Sequence, residues 1–200
     1  MTADRSYFWP LPQRSYDVAV IDPPWHFKVF SETTGTKKSA QSHYSVMSLA
    51  RIKALPVREL LKPDSVVFCF ATAPLLPAAL EAMAAWGFTY KSNLAWRKMT
   101  RNGKVRMGCG YWARTMHEHV LICTIGKPKL LTFPSLFDGI AREHSRKPDE
   151  FYSMVAERSP GRRRVDLFAR ERRNGWDVWG DEIEKFSSAE STCAHRRAEV

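Results

Sequence analysis

Asp22-Pro23-Pro24-Trp25 follows directly on the run Tyr16-Asp17-Val18-Ala19-Val20-Ile21. That run reads as a strand, so an acid, two prolines and an indole stand at a strand's carboxyl end. In open α/β sheets, ligands bind beyond the carboxyl ends of strands. A carboxylate and a peptide carbonyl are pure hydrogen-bond acceptors, prolines fix the backbone that carries them, and an indole offers a flat plate. Together they are suited to holding a flat heterocycle by its amino group. The bland use of the same residues is a strand that ends in a Pro-Pro turn with a tryptophan in the core.

Positioning such a cluster falls to alternating strands and helices. The first strand covers residues 16–22, and residues 65–71 read as a fully buried strand from their continuous β-branched and aromatic content. Further strands are predicted at 89–96, 119–125 and 164–168. Ser48 is placed to cap a helix running to about Leu61 and stopped by Pro63. Residues 74–86 predict a helix with Leu76, Leu80 and Met83 on one face, ended by Gly87. Pro148 opens another, with Asp149 and Glu150 complementing the helix dipole, and Ser159-Pro160-Gly161 ends it. This alternation predicts an α/β fold, a mostly parallel sheet covered by helices on both faces. Residues 31–42 read as a mobile polar loop, residues 1–186 as one domain, and 187–200 as a disordered tail.

Two hundred residues carrying a formal charge of +10 point to an acidic partner, most simply nucleic acid. Cys69 and Cys123 lie within apolar strand-like runs, Cys109 and Cys193 stand far apart, and no Cys-x-x-Cys pair occurs. Such spacing belongs to buried thiols in a reducing cytoplasm. No stretch approaches a membrane span, and the first nine residues lack the apolar core of a secretion signal.

Other residues invite chemistry with less force. Gly108-Cys109-Gly110-Tyr111-Trp112-Ala113 matches a dinucleotide fingerprint on paper. It follows a basic stretch instead of an apolar strand, and a turn gating the active site is the better use of its glycines. Glu118 between His117 and His119 suggests a metal, but no further acid or histidine spacing completes a ligand set, and none is expected. Asp166 sits mid-strand between Val165 and Leu167, where a buried carboxylate needs a partner. Residues 97–106, with Lys98, Arg101, Lys104 and Arg106, are the candidate phosphate grip. They are expected to leave the same sheet edge as the Asp-Pro-Pro-Trp motif, with Lys37 and Lys38 closing from the loop.

Asp22-Pro23-Pro24-Trp25 resembles the motif of the MT-A-seventy family of N6-adenine methyltransferases, enzymes related to the catalytic subunit of messenger-RNA adenosine methyltransferase. His117-Glu118-His119-Val120-Leu121-Ile122, with Gly126-Lys127-Pro128 after it, is similar to that family's His-Glu segment and post-strand lysine. Ser145-Arg146-Lys147-Pro148-Asp149-Glu150 resembles its helix start, with Arg146 where histidine is common. Arg164-Val165-Asp166-Leu167-Phe168-Ala169-Arg170, then Asn174-Gly175-Trp176 and Gly180-Asp181-Glu182, resembles its closing strand and loop.

The resemblance implies a Rossmann-like class I methyltransferase sheet in permuted order, with the catalytic motif ahead of the cofactor-binding strand. It implies S-adenosylmethionine as methyl donor. Asp22 and Pro23 would bind the target amine, Pro24 would complete the motif, and Trp25 would lie against the base or wall its pocket. Lys127 and Asp166 would bound the cofactor pocket. Arg170, Asn174, Asp181 and Glu182 would reach its ribose and carboxylate ends, and Asp4 its adenine. Tyr44 corresponds to a substrate-side aromatic. The implied reaction is methylation of adenine N6, on DNA in a compact bacterial or phage type, in the cytoplasm. The alternatives are the same reaction on RNA, an inactive nucleic-acid-binding subunit, and cytosine amino methylation. So small a chain has little room for target recognition, which must be short, relaxed, or supplied by a partner subunit or second copy.

Overall fold

In the computed structural model, residues 7–25, 46–110, 112–143 and 145–186 are described. All six residues of β1 (Tyr16–Ile21) are buried, because both faces of this strand are covered. Strand geometry sends alternate side chains to opposite faces. Ala19 and Ile21 join one apolar layer, while Val18 and Val20 join the other. β2 (Leu61–Ala71) divides in the same way, Val67 and Cys69 on the first face, Val66, Phe68 and Phe70 on the second.

The first face packs against three short helices, α1 (Leu49–Lys53), α2 (Val57–Leu60) and α3 (Leu76–Ala85), through Ile52, Val57, Leu60 and Met83. The second packs against α4 (Asp149–Arg158), whose Phe151 meets Phe68 and Phe70 edge to face at 5.6 and 5.0 Å. The remaining strands are β3 (Thr89–Met99), β4 (His117–Ile125), β5 (Leu136–Ile140), β6 (Arg164–Leu167) and β7 (Asp177–Trp179).

The seven strands lie in the order β5-β3-β4-β2-β1-β6-β7. β4 runs antiparallel to both its neighbours, and every other pairing is parallel. This is the Rossmann-like class I methyltransferase sheet. From β1 the chain crosses to β2 on one side, whereas from β6 it moves on to β7 on the other. A crevice therefore opens beyond the carboxyl ends of the adjacent strands β1 and β6, the place where such sheets bind ligands.

Several elements differ from expectation. The helix predicted from Ser48 to Leu61 is two helices, broken at Leu55-Pro56, although Ser48 does cap the first, its Oγ accepting from the N–H of Arg51 at 3.3 Å. β2 begins at Leu61 and takes Pro63 into its first turn of pleat, where its register with β1 is irregular and a missing N–H is tolerated. On α3 the buried residues are Ala79, Ala82 and Met83, and Leu80 is exposed, since small alanines let the helix approach the sheet. β5 and β7 form where the sequence predicts no strand. β5 carries Asp138 and Gly139, poor strand residues, yet Gly139 is required, because a Cβ there would sit 2.7 Å from Trp96 Nε1.

Among the described residues no helix is long and apolar enough to cross a membrane. The Phe68–Phe70–Phe151 cluster joins α4 to the sheet beneath the crevice. Phe151→Ala is expected to cost roughly 3–5 kcal/mol of stability, read by urea unfolding, and a loss under about 1 kcal/mol would show that α4 packs otherwise.

Candidate functional site

Asp22 follows β1 on the parity of Val18 and Val20, which directs it to the α4 face. Three cavities share it. One of about 400 Å³ is bounded by Asp22, Pro23, Trp25, Phe70, Lys98, Arg106 and Glu118. A second, of about 470 Å³, is bounded by Asp22, Pro24, Tyr7, Phe168, Arg170, Trp179, Asp181 and Glu182. A narrow gap lined by Asp22, Ser145, Lys147, Tyr152 and Asp166 lies at the same carboxylate. Asp22 and Ser145 border both large spaces, and the two prolines divide them, Pro23 on one side and Pro24 on the other.

The backbone of the motif is held firmly. Trp25 N–H donates to Pro23 O at 2.7 Å, and Met47 N–H to Pro24 O at 2.8 Å. A carbonyl oxygen has two lone pairs, so Pro23 O keeps acceptor capacity. Trp25 is buried and its Nε1 donates to Phe70 O at 3.3 Å, which makes the indole a wall of the smaller cavity. Ser145 and Phe168 hold φ of +63° and +62°, uncommon for residues with a Cβ, and both border the larger cavity. Strain of this kind concentrates at functional sites.

Charge is arranged with equal care. Lys147 Nζ lies 3.0 Å from Asp22 Oδ2 and 3.1 Å from Glu118 Oε2, and Lys98 Nζ lies 2.6 Å from Glu118 Oε1. Burial pushes the Asp22 carboxyl up, and the Lys147 ammonium opposes that push. Burial also works against the charge on Glu118, but Lys147 and Lys98 overcome it and hold the carboxyl at about 2. Lys147 is itself raised, because Asp22 and Glu118 together outweigh its burial. On β6, Asp166 is pushed up to about 7 by burial, against the pull of Arg173 and of a 2.9 Å hydrogen bond from Tyr152 OH.

The sequence-predicted residues fall into distinct groups. Asp22, Pro23, Pro24, Trp25, Asp166, Arg170, Asp181 and Glu182 border the three connected spaces, with Arg170 Nη1 3.2 Å from Glu182. Lys127 does not join them. It follows β4, which runs antiparallel, so it emerges beside the start of β2, where its N–H donates to Asp64 Oδ1 at 2.7 Å, at the edge opposite Asp22. Strand direction thus sets Lys127 apart from the spaces that Asp166 borders. Asn174 is likewise displaced, lying in an exposed turn before β7 at the edge where the strands begin. Asp4, Tyr44, Lys37 and Lys38 lie outside the described residues, as do residues 187–200.

The basic stretch leaves the same edge as Asp22, as expected, because β3 runs with β1. Its members part company there. Lys98 points into the smaller cavity and is engaged by Glu118, and Arg106 borders that cavity while donating to Ala141 O at 3.1 Å. Arg101 and Lys104 sit on an exposed turn beyond it. Residues 97–117 contain no acid. Gly108 and Cys109 border the cavity in a tight loop, where a Cβ on Gly110 would sit 1.8 Å from Ala113 O. Among the described residues no dinucleotide-type strand, turn and helix is built there. Glu118 points to the opposite face of β4 from His117 and His119, which removes the metal reading of that triplet.

Sequence reasoning gave Glu118 and Lys147 no role in the site, although both stand in motifs that carry the family resemblance. Glu118 shares the parity of buried Val120, and an acid at a buried strand position is itself a signal. Lys147 carried none, since a lysine before a helix-opening proline is usually solvated.

The class I methyltransferase sheet thus carries paired cavities that meet at the Asp-Pro-Pro-Trp motif on its ligand edge. The chain belongs to the MT-A70 family, whose sequence profile matches residues 16–182. It is 29% identical over 195 residues to the Type II methyltransferase M.MunI of Mycoplasma sp, an alignment covering 88% of this chain and 81% of that protein. It is 27% identical over 176 residues to the N(6)-adenosine-methyltransferase MT-A70-like protein of Drosophila melanogaster. To the N(6)-adenosine-methyltransferase catalytic subunit METTL3 of Homo sapiens it is 25% identical over 176 residues. The alignments cover 84% of this chain in both cases, but only 27% and 28% of those longer proteins.

The neutral Asp166 acid favours folding below its ordinary range near 3.8, and that contribution is lost as pH rises through about 7. Tyr152→Phe removes a donor to the ionised form and is expected to move the Asp166 midpoint above 7. A carboxyl carbon NMR titration reads this directly, and an unmoved midpoint would show the hydrogen bond to be without effect.

Proposed function

We propose that this protein transfers a methyl group from S-adenosylmethionine to the exocyclic 6-amino group of adenine in DNA. The observation that carries the reading is the position of Asp22, at the partition between two cavities each large enough for a nucleoside-sized ligand. The larger cavity suits the methyl donor. Tyr7, Phe168 and Trp179 offer aromatic surface to its purine, Asp181 and Glu182 offer acceptors to hydroxyl or ammonium hydrogens, and Arg51 and Arg170 supply positive charge for a carboxylate. The donor contributes an electrophilic methyl carbon on a sulfonium.

Everything else falls to this chain. Adenine's amine is a weak nucleophile because its lone pair is delocalised into the ring. Asp22 and Pro23 O accept the amine hydrogens, draw nitrogen toward tetrahedral geometry, and so free the lone pair to point across the partition. Trp25, Phe70 and Trp96 wall the space that receives the base, which must leave its stack to enter. Rate then comes from holding the two reactants in line, without a covalent intermediate on the enzyme.

A DNA substrate is favoured by the match to a type II methyltransferase, which takes in 81% of that protein, whereas the matches to the adenosine methyltransferases take in 27% and 28% of theirs. The cytoplasm of a bacterium or of a phage-infected host is the matching compartment. The acid-free arm at residues 97–117, tipped by Arg101 and Lys104, is the phosphate-binding surface.

With methyl-labelled S-adenosylmethionine and single- or double-stranded DNA and RNA, label is expected in N6-methyldeoxyadenosine after digestion. Label in the ribonucleoside alone would assign RNA instead, and label in neither would reject the reading. Asp22→Ala is expected to lower turnover by on the order of 10²–10³-fold or more while donor binding by calorimetry persists; full turnover would remove the central role of this acid. Replacing Arg101 and Lys104 together with alanine is expected to reduce the slope of log affinity against log salt by about 2, and an unchanged slope would take the arm off the DNA.

A further inference from the structure

One carboxylate ties together the loops of the ligand edge. Glu171, in the connection between β6 and β7, is 6% exposed and meets three guanidinium groups. Arg146 donates from Nε and Nη2 to Oε2 at 3.1 and 2.6 Å. Arg142 donates from Nη2 to Oε1 at 3.2 Å, and Arg173 from Nη2 to the same oxygen. Asp149 also accepts from Arg142 and Arg173, and Glu143 from Arg146. Both of those acids are exposed, so Glu171 is the buried anion that all three arginines share.

The segments joined in this way carry the walls of both cavities. Arg142 and Arg146 belong to the connection between β5 and α4, and both border the smaller cavity. Ser145 of the same connection donates to Asp22 Oδ2 at 3.3 Å, and Arg142 Nη2 closes the connection on itself with a 2.6 Å bond to Lys147 O. The connection that holds Glu171 also carries Phe168 and Arg170, which border the larger cavity. A third segment is drawn in beyond Asp181 and Glu182. There Phe186 N–H donates to Arg170 O at 3.2 Å, and the Arg146 guanidinium stands 4.8 Å from the centre of the Phe186 ring.

An arginine in the wall of a nucleotide-sized cavity has two uses: it can take a phosphate, or it can brace the wall on a protein carboxylate. Here the second use prevails. Among the described residues Arg142 Nε and Arg173 Nε are buried without a hydrogen-bond partner, which is tolerated while their terminal nitrogens stay on Glu171. We propose that Glu171 is a positioning residue for methyl transfer: it holds Arg142 and Arg146 as fixed parts of the acceptor wall, set against the donor wall, and withholds them from the phosphates of the polymer. This rests on the reading of the two cavities as acceptor and donor spaces. Glu171 acts through the two arginines and on neither reactant.

Binding and turnover should then move in opposite directions when the charge is removed. Glu171→Gln releases Arg142 and Arg146 toward the acceptor cavity, where duplex DNA gains up to two cations. The slope of log affinity against log salt is expected to steepen by about 1–2, with tighter binding at low salt. Turnover is expected to fall by on the order of 10²-fold, because the reactants are held less well in line. Glu171→Asp keeps the charge, so its slope is expected to return to that of the wild type. Arg146→Gln keeps the test open if Glu171→Gln does not fold. It breaks the same contact and frees no cation, so turnover is expected to fall at an unchanged slope.

Slower turnover with a steeper slope is not a result that simple loss of packing produces, since loosened structure weakens binding and catalysis together. A folded Glu171→Gln with wild-type turnover, or with a slope no steeper than the wild type, overturns the role of Glu171 alone. So does a shallower slope in Arg146→Gln, which would make Arg146 a phosphate ligand. Absence of transfer by the wild type overturns the assigned reaction and this role with it.

Discussion

Charge gathered at the end of a buried strand, where Asp22, Lys147 and Glu118 meet within 3.1 Å, is the constraint around which this protein is arranged. Burial favours the neutral form of Asp22, and removing a charge from water without compensation costs more than the fold can supply. The answer is not a single ion pair. Lys147 is more buried than Asp22 and takes Glu118 as a second partner, and Glu118 in turn takes Lys98, whose side chain is 20% exposed. The chain of charge therefore runs from the interior to the rim, and each member is tolerated because of the next. Replacing Lys147 leaves Asp22 as an uncompensated charge, the costly case among buried ion pairs.

The sheet makes that chain possible. Parallel strands β1 and β6 send their connections in opposite directions, which opens a crevice beyond their ends. Antiparallel β4 then brings Glu118 to the same edge at the start of its strand, while its other end delivers Lys127 to the far edge. One reversal of direction thus places a carboxylate beneath the site and withdraws a lysine from it. The loops that close the crevice bend sharply, with Ser145 and Phe168 in left-handed conformations on either side of Asp22. Both border the larger cavity, and the β5–α4 connection that holds Ser145 also delivers Lys147.

Membership of the MT-A70 family covers residues 16–182, nearly all of the described structure. The alignment to M.MunI takes in most of that protein, whereas the adenosine methyltransferases carry much sequence outside the matched region. The matched residues of this chain include the sheet, the Asp-Pro-Pro-Trp motif and the loops that face it. Between β3 and β4 lies an acid-free stretch, with Lys98 and Arg106 in the cavity wall and Arg101 and Lys104 exposed beyond it.

The residues alone determined the strands that pass through the core, since the β-branched and aromatic runs of β1, β2 and β6 have no other low-energy use. They also determined the motif at the end of β1, where an acid and two prolines in sequence form a local unit. Local reasoning was weaker where an element depends on its neighbours. β5 is a strand because β3 pairs with it despite Asp138 and Gly139, and α3 buries its alanines because the sheet lies close. The charge chain was beyond it altogether. Lys147 and Asp22 are remote in sequence, Glu118 and Lys98 lie in two further strands, and nothing within a few residues of each reveals its partners. Spacing along a chain decides pleat, turn and cap, because those contacts lie within a few residues. Only strand order and direction decide which distant charges share one low-dielectric space, and they set Lys147 beside Asp22 while Lys127 and Asn174 lie at the far edge.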